Sequence, residues 1–125
     1  MRALITFLLL LTAAAAQAEL PSAAATVVDK VLISGKPSVI DLGARTCIPC
    51  KKMAPILEGL SKEYQGKANV LFIDVREDSA AADRFKIRMI PTQIFFDAKG
   101  KEVNRHIGFM DKADILKELK AAGLK

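Results

Sequence analysis

The chain has 125 residues, a formal net charge of +5, two cysteines, one histidine and no tryptophan. That length supports one domain. The positive charge is modest and mixed in sign, with no basic stripe interleaved with aromatics, which excludes nucleic acid as the expected partner and leaves a mild preference for acidic protein partners.

The N-terminus opens Met1-Arg2 and then runs without charge from Ala3 to Ala18, ending in Ala16-Gln17-Ala18. An early positive charge, a short apolar run and a small-x-small exit are the three parts of a secretory signal peptide. An uncleaved membrane anchor is the alternative, but this stretch of 16 residues falls short of the roughly 17 apolar residues needed to span a bilayer. Residues 1–18 are therefore expected to be a cleaved signal peptide and residues 19–125 the mature domain, periplasmic or secreted. Cleavage removes Arg2 and lowers the net charge from +5 to +4. No cysteine lies near the cleavage point to carry a lipid.

From Ser22 to Ser34 the apolar residues Ala23, Val27, Val28, Val31 and Leu32 recur at helical spacing, with Ser22 available as N-cap. Gly35-Lys36-Pro37 ends that helix. Ser38 to Gly43 is short and mostly apolar, the pattern of a buried strand. Cys47 to about Tyr64 reads as a helix with Met53, Ile56, Leu57, Leu60 and Tyr64 on one face. Pro49 falls in its first turn, where a missing N–H costs nothing, and Pro55 in its interior, where a kink is expected.

Asn69 to Val75 is a second apolar strand, and Asp78 or Ser79 caps a short helix through Phe85. Thr92 to Asp97 is a third strand. Ala98-Lys99-Gly100 turns it into a fourth, about Lys101 to Ile107. Asp111 caps a last helix with Ile115, Leu116 and Leu119 as its apolar stripe. The order is α-β-α-β-α-β-β-α. A strand–helix–strand opening implies a parallel pair, and the hairpin adds antiparallel strands. The expected architecture is α/β: a mixed sheet with helices on both faces.

The chemistry points to Cys47-Ile48-Pro49-Cys50. The bridge these cysteines can form closes four residues, which by chain entropy stabilises by about 2 kcal/mol, against about 3 for a 15-residue loop. It is a poor staple, but it can form and break without unfolding the chain. Set after a buried strand at a helix start, Cys47 gains unpaired N–H groups and the positive end of the helix, which favour a thiolate. Arg45, Lys51 and Lys52 add positive charge nearby. Cys50, one turn in, is placed to attack a mixed disulfide on Cys47. A redox pair is the favoured reading. Half of a zinc or Cu(I) site and an inert bridge are the alternatives, and a c-type haem is excluded because Lys51 stands where a histidine is required.

Asp41 is the one ionisable residue in its strand, six residues before Cys47. Buried there, it has either a raised pKa and a proton-shuttling role or a hydrogen-bonded structural one. Ile90-Pro91-Thr92 opens the third strand, where a proline is permitted. Met89 and Phe109 fit either the core or an apolar rim for docking a peptide. His106, near the end of the fourth strand, reads as a surface residue without a role.

Together these segments resemble a thioredoxin. Val39 to Ala44 followed by Cys47-Ile48-Pro49-Cys50-Lys51 resembles the family's strand and active-site segment. Ala54-Pro55-Ile56-Leu57 resembles the kinked helix behind it, and Phe85 to Thr92 the cis-proline segment. Gly108 resembles the glycine that closes the active-site surface. The resemblance spans roughly residues 36–122 and implies a thioredoxin fold, with a central mixed β-sheet of about four strands.

It further implies that Cys47 is the attacking thiolate, Cys50 the resolving thiol and Asp41 the buried carboxyl beneath them. Pro91 would be cis and close to the cysteines, with Ile90 backbone pairing with substrate and Ile48, Pro49 and Gly108 completing the substrate surface. The implied partners are protein thiols and disulfides and a membrane electron donor, for a monomer without cofactor or metal. Proline before the second cysteine resembles the reducing members more than the oxidising ones, so a reductant is favoured over an oxidase or isomerase. Four departures stand out. Thr46 replaces the usual tryptophan, Ile48 the usual glycine, and Val70 the lysine that often accompanies the buried aspartate; the first strand is missing.

Overall fold

The computed structural model of the protein describes residues 19–125, so the expected signal peptide lies outside the described residues. These residues form α1 (Ala25–Leu32), β1 (Ser38–Gly43), α2 (Ile48–Glu63), β2 (Asn69–Asp74), α3 (Ser79–Arg84), β3 (Thr92–Phe96), β4 (Glu102–Ile107) and α4 (Lys112–Ala121), in the expected order.

The sheet runs β2-β1-β3-β4. β1 is central, parallel to β2 and antiparallel to β3, and β3 and β4 form the hairpin. Each residue of β1 is buried, which explains a strand that is apolar on both faces. Alternation then divides the core. Val39 of β1, Val70 of β2 and Phe95 of β3 pack with Met53, Leu57 and Leu60 of α2 and Ile115 and Leu119 of α4. Ile40, Leu42, Ile73, Ile94 and Phe96 pack on the opposite face with Val28 of α1 and Ala81 and Phe85 of α3. Each buried Val, Leu, Ile, Phe or Met among them contributes about 1.5–3 kcal/mol relative to exposure.

The start of the first helix differs from the expectation. α1 begins at Ala25, and Ala24 at its N-cap supplies no side-chain hydrogen bond. Ser22 is drawn away from the cap. It pairs with Phe72 as a single parallel bridge, and its Oγ accepts from Asp74 N–H at 2.9 Å. Ala23 N–H donates to Phe72 carbonyl at 2.7 Å. An added strand at the β2 edge is thus reduced to one bridge, because β2 captures the backbone before the helix can. The other caps follow the sequence: Asp78 accepts from Ala81 N–H, and Asp111 from Asp114 N–H.

Candidate active site

Three chain segments meet at one end of the sheet because of register. β1 ends at Gly43, and Ala44 to Thr46 lead into Cys47. Thr92, the first residue of β3, pairs with Leu42 near that end and with Ile107 near the end of β4. Pro91 and Gly108 therefore follow at the same edge, and Gly108 N–H donates to Pro91 carbonyl at 2.8 Å. Gly108 has φ of +102°, a conformation that disfavours any residue with a Cβ. The Ile90–Pro91 peptide bond is cis, Pro91 is buried and Ile90 half-buried.

Cys47 is the N-cap of α2, with extended backbone (φ −81°, ψ 128°), and its Sγ accepts from Cys50 N–H at 3.4 Å. Lys51 N–H closes the first turn onto Cys47 carbonyl at 2.9 Å. Pro49 within that turn removes a donor that the helix would leave unpaired anyway. Cys47 is thus seated where backbone N–H groups and the helix dipole stabilise a sulfur anion. The two cysteines form a disulfide with Cα atoms 5.1 Å apart. Cys47 is half-buried and Cys50 buried, so Cys47 is the more accessible of the two sulfurs.

Behind them, Asp41 and Gly43 lie two residues apart on β1 and face α2. A Cβ on Gly43 would stand 3.1 Å from Cys50 Sγ, so the glycine leaves the space that this sulfur occupies. Asp41 is fully buried. Gln93 Nε2 donates to its Oδ1 at 2.9 Å, while Oδ2 has no hydrogen-bond partner among the described residues. Burial pushes the carboxyl up from 3.8 to about 6, and the Gln93 hydrogen bond opposes the rise. Val70 occupies β2 as expected, two residues from Phe72, which pairs opposite Asp41.

Asp74 is a site residue that the sequence alone does not mark. Buried at the end of β2, it accepts from Arg45 N–H at 3.3 Å and from Arg76 N–H at 2.9 Å. It thereby ties the loop before Cys47 to the loop after β2. Arg76 also donates to Thr46 Oγ1, the residue in the tryptophan position. The Arg45 guanidinium pairs with Glu19 at 2.8 Å and lies over the Phe72 ring. The sequence signal was an acidic residue closing an apolar strand, and it did not show which loops the carboxylate would hold.

The remaining site residues form a surface. Ile48 is 71% exposed, Met89 62% and Phe109 45%, so Met89 and Phe109 belong to the rim and not to the core. Pro49 is half-buried beside them in sequence. Gln93 and His106 were also passed over. Gln93 is fully buried, and His106 is half-buried with Nδ1 2.9 Å from Gln93 Oε1.

Comparison with known proteins agrees with this geometry. The Thioredoxin family model matches residues 20–121. A thioredoxin of Staphylococcus saprophyticus is 41% identical over 78 residues, covering 62% of this chain and 74% of that protein. A thioredoxin of Staphylococcus aureus is 38% identical over 81 residues, covering 65% and 77%. The crystal structure of chloroplastic thioredoxin z superposes with a TM-score of 0.71 at 24% identity, covering 84% of this chain and 95% of that one, a likeness of fold. The chain belongs to the thioredoxin family, and its Cys47–Cys50 pair makes it a thiol–disulfide oxidoreductase acting on protein disulfides.

Proposed function

We propose that this protein is an exported reductant of protein disulfides, working as a monomer in the periplasm and recharged by a membrane electron donor. Export rests on the signal-peptide pattern of residues 1–18. The reducing direction rests on the resemblance of Cys47-Ile48-Pro49-Cys50 to reducing members of the family. A soluble cytoplasmic reductase would not reach an exported domain, so the electrons must cross the membrane.

The observation that carries the mechanism is the pairing of a half-exposed Cys47 at a helix N-terminus with a buried Cys50 over Asp41. In the reduced protein, Cys47 thiolate attacks a substrate disulfide and displaces one substrate sulfur as thiolate, which takes a proton from water. Cys47 is now joined to the other substrate sulfur. Cys50 thiol gives its proton to Asp41 carboxylate and attacks Cys47 Sγ. The mixed disulfide breaks, the second substrate thiolate leaves and is protonated, and Cys47–Cys50 is oxidised. Two electrons pass from the cysteine pair to the substrate. Ile48, Met89, Phe109 and the backbone at Ile90 and Gly108 would form the docking surface for the extended segment that carries the substrate disulfide.

Equilibration with a glutathione series tests the direction. A potential near about −270 mV supports a reductant, and one near about −120 mV, that of a strong oxidant, overturns it. Cys50→Ser tests the mechanism: mixed disulfides should accumulate on Cys47, detectable by mass spectrometry of non-reduced samples. Their absence would remove Cys47 from the attacking role.

A further inference from the structure

The Asp41–Gln93–His106 row crosses three strands. Asp41 pairs with Gln93 across β1 and β3, and Gln93 pairs with His106 across β3 and β4. Paired residues point to the same face of a sheet, so the three side chains share the α2 and α4 side. They are joined end to end. Gln93 Nε2 donates to Asp41 Oδ1 at 2.9 Å, and Gln93 Oε1 lies 2.9 Å from His106 Nδ1. One end is fully buried two residues from Gly43, whose Cβ position lies 3.1 Å from Cys50 Sγ, and the other is half-buried on the edge strand.

Such a chain has a direction. An ionised Asp41 only accepts, so Gln93 must turn its amide nitrogen inward and its oxygen outward, where it needs a donor. His106 meets that need with Nδ1–H, in the neutral ring or the imidazolium. The reverse arrangement has a protonated Asp41 donating to Gln93 Oε1, with the amide nitrogen donating outward. It requires His106 to accept at Nδ1, which an imidazolium cannot do. An imidazolium at position 106 can only donate and therefore favours the carboxylate, whereas the neutral ring, which donates or accepts at Nδ1 according to its tautomer, serves either arrangement.

We infer that His106 is a positioning residue for the Cys47–Cys50 site, its protonated ring acting through the Gln93 amide to hold Asp41 in the ionised form that accepts the Cys50 proton. The last clause rests on the proposed role of Asp41. Charged groups on the elements packed around the row are engaged or turned outward. Asp74 at the end of β2 holds the Arg45 and Arg76 loops. Lys51 and Lys52 on α2 are exposed, and buried Glu58 pairs with Lys62. On α4, Glu118 accepts from Asn104 and exposed Asp111 accepts from Asp114 N–H. On the edge strand, Arg105 pairs with Glu102.

The test follows Asp41 directly, by carbon-13 NMR of carboxyl-labelled aspartate in the oxidised full domain, where no thiol titrates. The same variants are then reduced, and the pH profile of mixed-disulfide resolution is measured. His106→Phe removes the donor and should raise the Asp41 midpoint by about half a pH unit or more, slowing resolution about threefold on the acidic limb. His106→Lys, which only donates, should restore both. An unchanged Asp41 midpoint in a folded His106→Phe protein overturns the inference. A shifted midpoint with an unshifted resolution profile supports the chain of hydrogen bonds but overturns Asp41 as the acceptor of the Cys50 proton. If His106→Phe does not fold, Gln93→Leu is the second variant; it deletes the same link and must raise the midpoint likewise.

Discussion

Cys50 Sγ occupies the space that a side chain on Gly43 would fill, 3.1 Å from the position of a Cβ. That separation is tighter than an ordinary contact, so a side chain at residue 43 requires its neighbour to give by a few tenths of an ångström. Gly43→Ala forces Cys50 to yield, and a sulfur locked in the disulfide yields less than a free thiol with its own rotamers. The oxidised form should therefore lose more stability than the reduced form, within the about 1–3 kcal/mol expected of overpacking. A difference of about 1 kcal/mol between the two forms raises the reduction potential by roughly 20 mV. Urea denaturation of both redox forms, with the glutathione equilibrium, checks this. Equal losses in the two forms would contradict it.

Asp41 makes stability depend on pH in a direction opposite to that of a salt-bridged carboxylate. Burial raises its pKa in the folded protein from 3.8 to about 6. Between those values the folded state keeps a proton that the unfolded state has released, so stability falls as pH rises. At about 1.36 kcal/mol per pH unit, the loss reaches about 3 kcal/mol above pH 6. Asp41→Asn lacks that proton equilibrium. Its stability relative to the parent should be about 2.4 kcal/mol more favourable at pH 7.5 than at pH 4, where part of the effect is already lost, read from denaturation midpoints at the two values. A pH-independent difference would show that Asp41 is not buried as an acid.

Ile48 is exposed at the first position of α2, next to Cys47. Most of its apolar surface is uncovered among the described residues and is available to a docked substrate. Ile48→Ser should leave stability within about 0.5 kcal/mol. It should raise KM for an apolar peptide disulfide about fivefold, the equivalent of about 1 kcal/mol of lost burial. Steady-state kinetics separate this from a change in kcat.

Leu60 of α2 is fully buried against the sheet. Leu60→Ala should destabilise the domain by about 2–5 kcal/mol while leaving the potential of the cysteine pair unchanged, since the residue lies ten positions beyond Cys50. A thermal or urea melt gives the first quantity and the glutathione series the second.

The order of elements was legible in the sequence because each is a local property. Alternation and apolar runs mark strands, a 3.6-residue period marks α2 and α4, and Asp78 and Asp111 mark caps. Cys47, Pro49 and Cys50 were legible for the same reason, since their chemistry depends on a spacing of three and a place at a helix start. Ser22 shows where local reasoning ends. Its hydroxyl suits a helix cap, yet the β2 edge offers a better backbone partner, and that edge is fifty residues away in the chain.

What tertiary structure alone decided is register. Gln93 and His106 are unremarkable as single letters on two strands of a hairpin, and Asp41 is a lone acid on another. Pairing of β1 with β3 and of β3 with β4 sets the three in one row, and burial beneath α2 turns an ordinary carboxyl into one that titrates near 6. The same packing leaves Met89 and Phe109 outside the core, where the sequence allowed either placement. Periodicity fixes which residues share a face of one element. Which residues meet across elements depends on contacts between distant parts of the chain, and these form only when the sheet closes.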